Sequence, residues 1–466
     1  VKKKITPFNQ TINVNGDKSL SIRWALLASQ AKGKSKAYNL LRSLDVLSTL
    51  DCLKKLGVKV KLKRKYCEII GKGLNKFQKK TLTINAGNSG TLGRLILGLL
   101  THHISKIKLV GDRSLSKRDF SRVVVPLKKF GAKFKYKSNC KLPIEIIGTN
   151  NSKPISYYEK RGSAQCKSAV MLAALNTPGI TKIKAAKSRD HTEKMFQYLK
   201  LPIKIKSKKN FDLIQIKGLK QFKGFNYNVP SDISSSAFFI VLTLLSKNSR
   251  LKIKNVNINP TRIGIITILK KMGAKIQFKN KKKRMGELVA DLIIKSTQKI
   301  KSINCPTHLN SQAIDEFLLI FLCAAKAKGI SYFKNLAELN QKESPRLELG
   351  SKILNLMGIK TITTKNSIKI FGNPKLKINK NIIIKNFLKD HRVFMTSVIA
   401  ALAFGGSWSI SDMKSINTSF PSFLDKIKYL GAKSFYLSFL TRYSDYPNAR
   451  AYMCYRATFS RQDVVI

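Results

Sequence analysis

One pattern of apolar and polar positions recurs along the chain. A stretch with helical periodicity ends at a lysine-rich turn and a glycine, and a short run of alternating residues follows, as in VVPLKKFGAKFKY at 124–136. A glycine that closes a helix ahead of alternating residues predicts a helix-to-strand unit. Five glycines mark copies of this unit, and Pro202 stands in a sixth, degenerate copy: Gly57, Gly131, Gly273, Gly358 and Gly431.

The spacing of these markers, about 70 to 85 residues, predicts internal duplication of a supersecondary unit. Each unit has room for two helices and several strands, which is too long for a solenoid repeat. A chain of 466 residues is long enough for two or three domains. Six units divide naturally into two domains of three units each. Because each unit combines helices with strands, we predict an α/β (α+β) protein.

The C-terminal segment differs from the rest of the chain. The last lysine is Lys433, and residues 436–466 carry five tyrosines and four arginines instead. A compositional change this abrupt predicts that 436–466 lies outside the repeated fold and is poorly packed.

The formal net charge of +65 comes from lysines spread along nearly the whole chain. A nucleic-acid-binding protein would be expected to concentrate its basic residues in a patch or stripe. The dispersed charge therefore favours solvated surfaces over a nucleic-acid role. Its positive field should still attract small anionic substrates.

The remaining bulk features predict a cytoplasmic protein without a membrane anchor. No apolar run approaches the length of a membrane span. The start, VKKKITPFNQ, lacks the apolar stretch of a secretory signal. Seven cysteines include no C-x-x-C pair, which is typical of reduced thiols.

Arginine is scarce, with 18 residues against 71 lysines, yet six arginines lie in polar clusters where a loop meets a helix. The planar guanidinium binds carboxylate or phosphate in a bidentate manner, so this placement predicts an anion site. Asp315 and Glu343 stand in the same cation-rich loops and are candidates for proton transfer. The six arginines are Arg23, Arg94, Arg118, Arg189, Arg346 and Arg392.

The stretch NAGNSGTLGR at 85–94 is rich in glycine but matches neither the P-loop nor the dinucleotide-binding fingerprint. Asn88 is suited to cap the helix that follows. Gly90 is better explained by a ligand close to the backbone than by a turn alone. No metal-binding spacing and no G-x-S-x-G motif occurs, so we predict neither a metal site nor covalent serine chemistry.

Ten ordered motifs resemble the 5-enolpyruvylshikimate-3-phosphate (EPSP) synthase family, or 3-phosphoshikimate 1-carboxyvinyltransferases, over roughly residues 5–435. In chain order they are GDKSLSIR, GNSGTLGR, GDRSLSKR, GSAQCKSA, SRDHTEKM, VPSDISSSAFF, DEF, KESPR, DHR and TSFPSF.

The resemblance implies the two-domain enolpyruvyl transferase fold, with three βαβαββ-type units in each domain and the active site in the cleft between them. It places residues 15–227 in the first domain, mainly on the shikimate-phosphate side. Residues 1–14 and 228–435 would form the second domain, mainly on the phosphoenolpyruvate side. The implied reaction transfers the carboxyvinyl group of phosphoenolpyruvate to the 5-hydroxyl of shikimate 3-phosphate and releases phosphate through a tetrahedral intermediate.

The resemblance also implies roles for individual residues. The catalytic residues would be Asp315, Glu343 and Lys18: Asp315 would take the hydroxyl proton, and Glu343 would protonate and later deprotonate the enol methylene. The shikimate 3-phosphate contacts would be Lys18, Ser19, Arg23, Ser163, Ala164 (backbone), Gln165, Arg189, Asp315 and Lys342. The phosphoenolpyruvate contacts would be Lys18, Gly90, Arg118, Gln165, Arg346 and Arg392. No cofactor, no nucleic-acid partner and a monomer are expected.

Four positions depart from the common family pattern and bear on affinity more than on the reaction: Asn15, Asp119, Pro345 and Thr418. The nearest rival is UDP-N-acetylglucosamine 1-carboxyvinyltransferase, which usually has a reactive cysteine in the loop corresponding to 111–120. That loop has no cysteine here, and SAQ-x-K and KES-x-R favour the shikimate enzyme. Two further hypotheses are a basic RNA-binding protein on the same fold and an inactive chain whose tail replaces a needed strand.

Overall fold

A computed structural model of the chain describes residue 1 and residues 3–432. The prediction that 436–466 packs poorly lies outside the described residues. Within them, strands and helices alternate in the mixed α/β pattern that the periodicity predicts.

Residues 1–228 contain thirteen strands and seven helices. The strands are β1 (Asn9–Asn13), β2 (Lys32–Tyr38), β3 (Lys59–Leu62), β4 (Tyr66–Lys72), β5 (Leu82–Asn85), β6 (Ile107–Val110), β7 (Lys133–Lys137), β8 (Lys141–Ile147), β9 (Ser156–Glu159), β10 (Ile180–Ala186), β11 (Ile203–Ser207), β12 (Phe211–Lys217) and β13 (Asn226–Asn228). The helices are α1 (Lys18–Gln30), α2 (Leu44–Lys55), α3 (Gly90–Leu100), α4 (Arg113–Ser116), α5 (Ser121–Lys129), α6 (Ala164–Leu175) and α7 (His191–Tyr198).

Residues 229–432 contain eight strands and seven helices. The strands are β14 (Arg250–Asn257), β15 (Lys275–Arg284), β16 (Glu287–Lys295), β17 (Gly329–Phe333), β18 (Thr361–Thr363), β19 (Ile368–Gly372), β20 (Asn381–Ile384) and β21 (Ser407–Ile410). The helices are α8 (Ile233–Leu245), α9 (Gly264–Lys271), α10 (Asn310–Ala313), α11 (Phe317–Lys326), α12 (Arg346–Leu356), α13 (His391–Phe404) and α14 (Phe423–Tyr429). Short 3-10 turns cover Ser138–Cys140, Thr307–Leu309, Ala337–Gln341 and Met413–Thr418.

The described strands form six sheets, and four of them share one topology. In each of these four, two parallel strands lie side by side and an antiparallel hairpin extends the sheet. The fifth sheet has three strands, and isolated bridges from Lys301 and Asn304 mark its first-strand position. The orders are β13-β2-β4-β3, β5-β6-β8-β7, β9-β10-β12-β11, β1-β14-β16-β15, β17-β19-β18 and β20-β21.

Two strand pairings link distant parts of the chain. The N-terminal strand β1 pairs in parallel with β14, whereas β13 pairs in parallel with β2. The two connecting segments meet at an antiparallel bridge between Gly16 and Ser231. We call the sheets built from β2–β13 the first half, and those that contain β1 and β14–β21 the second half.

The marker glycines close their helices as predicted, but the sixth copy uses a different residue. Each of the five glycines has a positive φ, between 83° and 107°. In the degenerate copy the residue after the last turn of α7 is Lys200, whose φ is 53°. Pro202 is therefore not the equivalent residue, because proline cannot adopt a positive φ.

Apolar helices fill the interior of each half. α3 packs against both α1 and α6 in the first half, and α8, α11 and α13 contact one another in the second. Every residue of α8 is buried, because its sequence ISSSAFFIVLTLL has no charged side chain. Across the described residues, none of the helices combines the length and apolarity that crossing a membrane requires.

His102, just beyond the end of α3, is a buried group that makes stability depend on pH. Its Nε2 lies 3.0 Å from the hydroxyl of Thr177, whose own proton goes to the carbonyl of Ala173. The ring must therefore donate from Nε2, and its buried Nδ1 has no partner. Burial accordingly lowers the pKa of His102 to about 4.

Lowering the pH from about 7 to about 5 should reduce the free energy of unfolding by about 2 kcal/mol through His102 alone. The unfolded chain takes up this proton near pH 6.5 and the folded chain only near pH 4. The stability is thus complete above the unfolded pKa and falls as the pH drops toward the folded one. Urea unfolding at several pH values should show that the free energy of unfolding changes less with pH in His102→Gln than in the wild type. His308→Gln, at an exposed histidine, should keep the wild-type slope; equal slopes in wild type and His102→Gln would contradict the prediction.

Candidate active site

The predicted site residues lie at the N-terminal ends of helices from both halves. Lys18 begins α1, Gly90 begins α3 and Ala164 begins α6 in the first half. In the second half, Arg346 begins α12 and Arg392 lies in the first turn of α13. Free backbone N–H groups give each helix start a partial positive charge, so anions are favoured there.

Asp315 is the carboxylate with the most cationic neighbours. Its Oδ2 lies 2.6 Å from Nη2 of Arg189, an arginine of the first half. Its Oδ1 lies 3.4 Å from Nη1 of Arg346 and 3.6 Å from Nζ of Lys342. Burial alone would raise the pKa of Asp315, but these cations hold it well below its usual range. Asp315 is therefore ionised at neutral pH.

Glu343 is the second carboxylate of the site, and it also joins the two halves. Its Oε1 lies 2.9 Å from Nη2 of Arg118, and its Oε2 accepts from Nη2 of Arg346. Burial acts to raise the pKa of Glu343, and Arg346 and Arg118 lower it well below the usual range. Lys18 is close enough to contribute to the same lowering.

One guanidinium, that of Arg346, holds both carboxylates. Only 2% of its surface is exposed, and its Nε donates to Oδ2 of Asp390 over 2.8 Å. Asp390 in turn caps α13 and accepts from the hydroxyl of Ser344. The arrangement fixes the separation of Asp315 and Glu343 through a single rigid group.

The start of α1 supplies a lysine and an inward-facing arginine. Lys18 Nζ lies 3.0 Å from Oδ2 of the buried Asp45. Arg23 donates to the carbonyl of Ser19 and, through Nε, to the hydroxyl of Thr192 over 2.9 Å. Burial lowers the pKa of Arg23 to about 10, which still leaves it charged at neutral pH.

Gly90 lies against two guanidinium groups. A Cβ at this position would be 2.5 Å from Nη1 of Arg118 and 2.9 Å from Nη1 of Arg94. Arg94 also donates to the side-chain oxygen of Gln165 over 3.1 Å and stacks on the ring of Phe120. A side chain at this position would therefore displace one or both guanidinium groups. The helix cap is Ser89 rather than the predicted Asn88. Asn88 donates instead to Asp112 over 2.6 Å.

The remaining predicted residues occupy the edges of the site. Ser163 caps α6, with its own N–H donating to Glu159, and Ala164 follows as the first helical residue. Arg392 Nη1 donates to the backbone carbonyl of Asp315 over 2.9 Å. His391, beside it, is kept neutral because burial lowers its pKa to about 3.

The four departures from the family pattern each have local contacts. Asn15 accepts from Ser422, and Thr418 bonds the ring of His391 at 3.3 Å. Asp119 accepts from the N–H of Ser121 over 2.7 Å. Pro345 stands at the cap position of α12, where its side chain makes no capping hydrogen bond.

Sequence reasoning missed several residues that organise the site. Arg262 is buried, donates to Ser234 over 2.7 Å, and lies 3.7 Å from Asp232 and 3.9 Å from Asp17, the cap of α1. Its position ahead of α9, as a scarce arginine at a helix start, is the signal that identified the other six. Asp45 gave no such signal, because its cationic partner Lys18 is distant in sequence. Glu316 and Asp390 lie in the motifs DEF and DHR, but sequence reasoning assigned them no role.

In the described part of the chain, no group of three or more His, Cys, Asp or Glu side chains is arranged to hold a metal ion. The site is instead a set of cations from both halves around two carboxylates. It can bind anions on several sides while it presents two ionised acids for proton transfer.

Comparison with known proteins gives one consistent result. The model of the family "EPSP synthase (3-phosphoshikimate 1-carboxyvinyltransferase)" matches residues 2–427. The 3-phosphoshikimate 1-carboxyvinyltransferase of Petrotoga mobilis is 38% identical over 91% of this chain and 98% of its own length. The enzyme of that name from Ruthia magnifica is 40% identical over 92% and 97%.

Solved structures agree with the sequence comparison. An EPSP synthase from Acinetobacter baumannii superposes with a TM-score of 0.80 at 33% identity, over 92% of this chain and 98% of that one. The enolpyruvyl transferase NikO from Streptomyces tendae shares the fold at 13% identity, with a TM-score of 0.72. The predicted enolpyruvyl transferase fold is therefore confirmed.

Proposed function

The chain belongs to the EPSP synthase (3-phosphoshikimate 1-carboxyvinyltransferase) family, and from this we propose how its own residues perform the reaction. The enzyme is a transferase of the shikimate pathway, which leads to chorismate and the aromatic amino acids. It transfers the carboxyvinyl group of phosphoenolpyruvate to the 5-hydroxyl of shikimate 3-phosphate and releases phosphate. The observation that carries the mechanism is the pair Asp315 and Glu343, bridged by Arg346.

The cations around this pair are the binding groups. Each substrate is multiply anionic, and paired guanidinium groups bind carboxylate and phosphate with defined geometry. We assign shikimate 3-phosphate to Lys18, Ser19, Arg23, Ser163, Ala164, Gln165, Arg189, Asp315 and Lys342. We assign phosphoenolpyruvate to Lys18, Gly90, Arg118, Gln165, Arg346 and Arg392.

Substrate binding changes the acidity of the two carboxylates. Without substrates, Arg118 and Arg346 neutralise Glu343, and Arg189 and Lys342 neutralise Asp315. Anionic substrates compete for the same cations and add negative charge nearby. Both effects raise carboxylate pKa values. The acids thereby move from an ionised resting state toward the range in which proton transfer is efficient.

The reaction then has two stages. Asp315 accepts the proton of the 5-hydroxyl as the oxygen attacks C2 of phosphoenolpyruvate. Glu343 takes up a proton from solvent once the bound substrates have raised its pKa, and donates it to the methylene carbon. In the tetrahedral intermediate, Glu343 removes a methylene proton as the C–O bond to phosphate breaks, and the proton held by Asp315 passes to the departing phosphate, so both carboxyl groups return to their starting protonation states. The cations stabilise the charge that develops on the leaving phosphate, so positioning and electrostatics suffice without a cofactor.

The strand pairing supports a division into two domains. We propose that residues 15–227 form one domain and that residues 1–14 with 228–435 form the other, because β1 joins the sheet of β14 and β13 joins that of β2. The family role further supports a monomer acting in the cytoplasm.

The sister activity on UDP-N-acetylglucosamine is not favoured. The relatives from Petrotoga mobilis and Ruthia magnifica carry the shikimate enzyme's name. In addition, the loop at 111–120 has no cysteine that could act as that family's reactive thiol.

A coupled phosphate assay tests the activity directly. The purified full chain should release phosphate from phosphoenolpyruvate only when shikimate 3-phosphate is present. Shikimate without the phosphate group should support little release, because Arg23 and Arg189 would lose their anionic partner. Equal release with UDP-N-acetylglucosamine, or none with either acceptor, would contradict the assignment.

A further inference from the structure

A buried polar cluster joins the two halves beside the active site. His191, the first residue of α7, places Nδ1 2.7 Å from Oε1 of Glu287, the first residue of β16. Asn259 donates to Oε2 of the same carboxylate over 3.0 Å and to Asp190 over 2.7 Å. We call His191, Glu287, Asn259 and Asp190 the latch.

The His191–Glu287 pair at the centre of the latch is closed off from solvent and tightly packed. The side chains of His191 and Glu287 are 0% and 1% exposed. At Gly286, in the turn before β16, a Cβ would lie 2.8 Å from the carbonyl oxygen of Lys194 on α7. Burial acts to raise the pKa of Glu287, but His191 and the surrounding donors lower it to about 2, so the carboxylate is ionised.

The two latch residues of the first half, Asp190 and His191, lie between residues that belong to or support the proposed substrate site. Arg189 immediately precedes Asp190 and reaches Asp315 of the second half at 2.6 Å. Thr192 immediately follows His191 and accepts from Arg23. The backbone between Arg189 and Thr192 is therefore held by side chains of the second half.

We propose that Glu287 is a positioning residue for shikimate 3-phosphate binding, because through the latch it fixes the α7 N-terminus and so aims Arg189 into the cleft. The inference rests on the proposed function, which assigns Arg189 to that substrate. Glu287 itself touches neither substrate. Its effect is confined to the affinity that Arg189 supplies.

Glu287→Gln tests this with little change in shape. The amide retains an acceptor for Asn259 but removes the charge that holds His191. We expect the KM for shikimate 3-phosphate to rise about tenfold, with kcat and the KM for phosphoenolpyruvate within about twofold of wild type. Glu145→Gln, which breaks the Lys106–Glu145 pair inside one sheet of the first half, should change none of the three.

A milder variant covers the case in which Glu287→Gln does not fold. The hydroxyl of Thr261, also of the second half, bonds to the latch: it lies 2.9 Å from Oδ1 of Asn259 and 3.2 Å from Oδ1 of Asp190. Thr261→Val removes both contacts at nearly constant volume, and a rise of about threefold in the same KM is expected. If kcat fell and the KM values for both substrates rose together, the role of Glu287 would be purely structural and the inference would be overturned.

A double-mutant cycle with Arg189→Ala distinguishes the role of the latch from the role of Arg189 in binding shikimate 3-phosphate. Once Arg189 is absent, adding Glu287→Gln should raise the KM for shikimate 3-phosphate no further. If Arg189→Ala alone leaves this KM unchanged, the proposed role of Arg189 is wrong. Two other results would show that the latch does not position Arg189. In one, Arg189→Ala raises the KM for shikimate 3-phosphate but Glu287→Gln does not. In the other, Glu287→Gln raises this KM by the same factor whether or not Arg189 is present.

Discussion

Replacing Glu343 by glutamine should lower kcat about a thousandfold, while the KM of each substrate changes less than about fivefold. The amide carbonyl can still accept from Arg118 or Arg346, so the cations keep their places. What is lost is the proton that Glu343 gives to the methylene carbon and later removes. The large effect on kcat follows because the same group serves both stages.

Isotope incorporation distinguishes this role from simple disruption. In deuterium oxide, the wild-type enzyme should place solvent deuterium in the methylene group of the product during turnover, and Glu343→Gln should incorporate much less per substrate bound. Glu348→Gln, at an exposed acid on α12, is the matched control and should behave like wild type. A Glu343→Gln enzyme with normal kcat would refute the assignment of this acid.

Replacing Arg346 by alanine should lower the free energy of unfolding by about 3–5 kcal/mol and remove measurable turnover. The guanidinium is buried and is shared by Asp315, Glu343 and Asp390, so its loss takes one cation from each of three carboxylates and leaves the buried Asp390 without its ion-pair partner. Arg346→Lys should recover only part of the stability, because an ammonium cannot reproduce the planar contacts to all three.

Urea unfolding and the phosphate assay measure the two effects. Lys352→Ala, at an exposed lysine of the same helix, should leave both unchanged. Adding Asp390→Asn to Arg346→Ala should restore part of the stability, since it removes one unpaired charge and asparagine can still cap α13. No recovery in the double variant would mean that charge repulsion is not the cause of the loss.

The sequence predicts the repeated unit because its signals are local. A helix, a residue with positive φ and an alternating strand all lie within about fifteen residues, and nearest-neighbour chemistry governs them. Two local predictions are wrong for equally local reasons. Asn88 and Ser89 are both residues that commonly cap helices. Because α3 begins at Gly90, the residue directly before it, Ser89, is the cap. Pro202 fits the spacing of the pattern, whereas Lys200 occupies the turn.

The site was predictable only as a set of residues. Clustered arginines at helix starts indicate an anion site, and the family resemblance implies individual roles. The pairings could not be predicted, because Arg189 meets Asp315 across 126 residues of chain and Lys18 meets Asp45 across 27. Glu287 and Asn259 act through other residues, so neither the periodicity nor any motif identifies them in the sequence.

The exchange of strands between the halves also sets an order of assembly during synthesis. The N–H of Phe8, next to β1, bonds to Ser249 across 241 residues of sequence. At about 5–20 residues per second, the ribosome leaves β1 without its sheet partner for roughly 10 to 50 seconds. The sheets of the first half need nothing beyond β13 and are complete before β14 emerges. β1 is thus made before the sheets of the first half but meets its own partner after them, and over that interval its unpaired edge is exposed to chaperones and to aggregation.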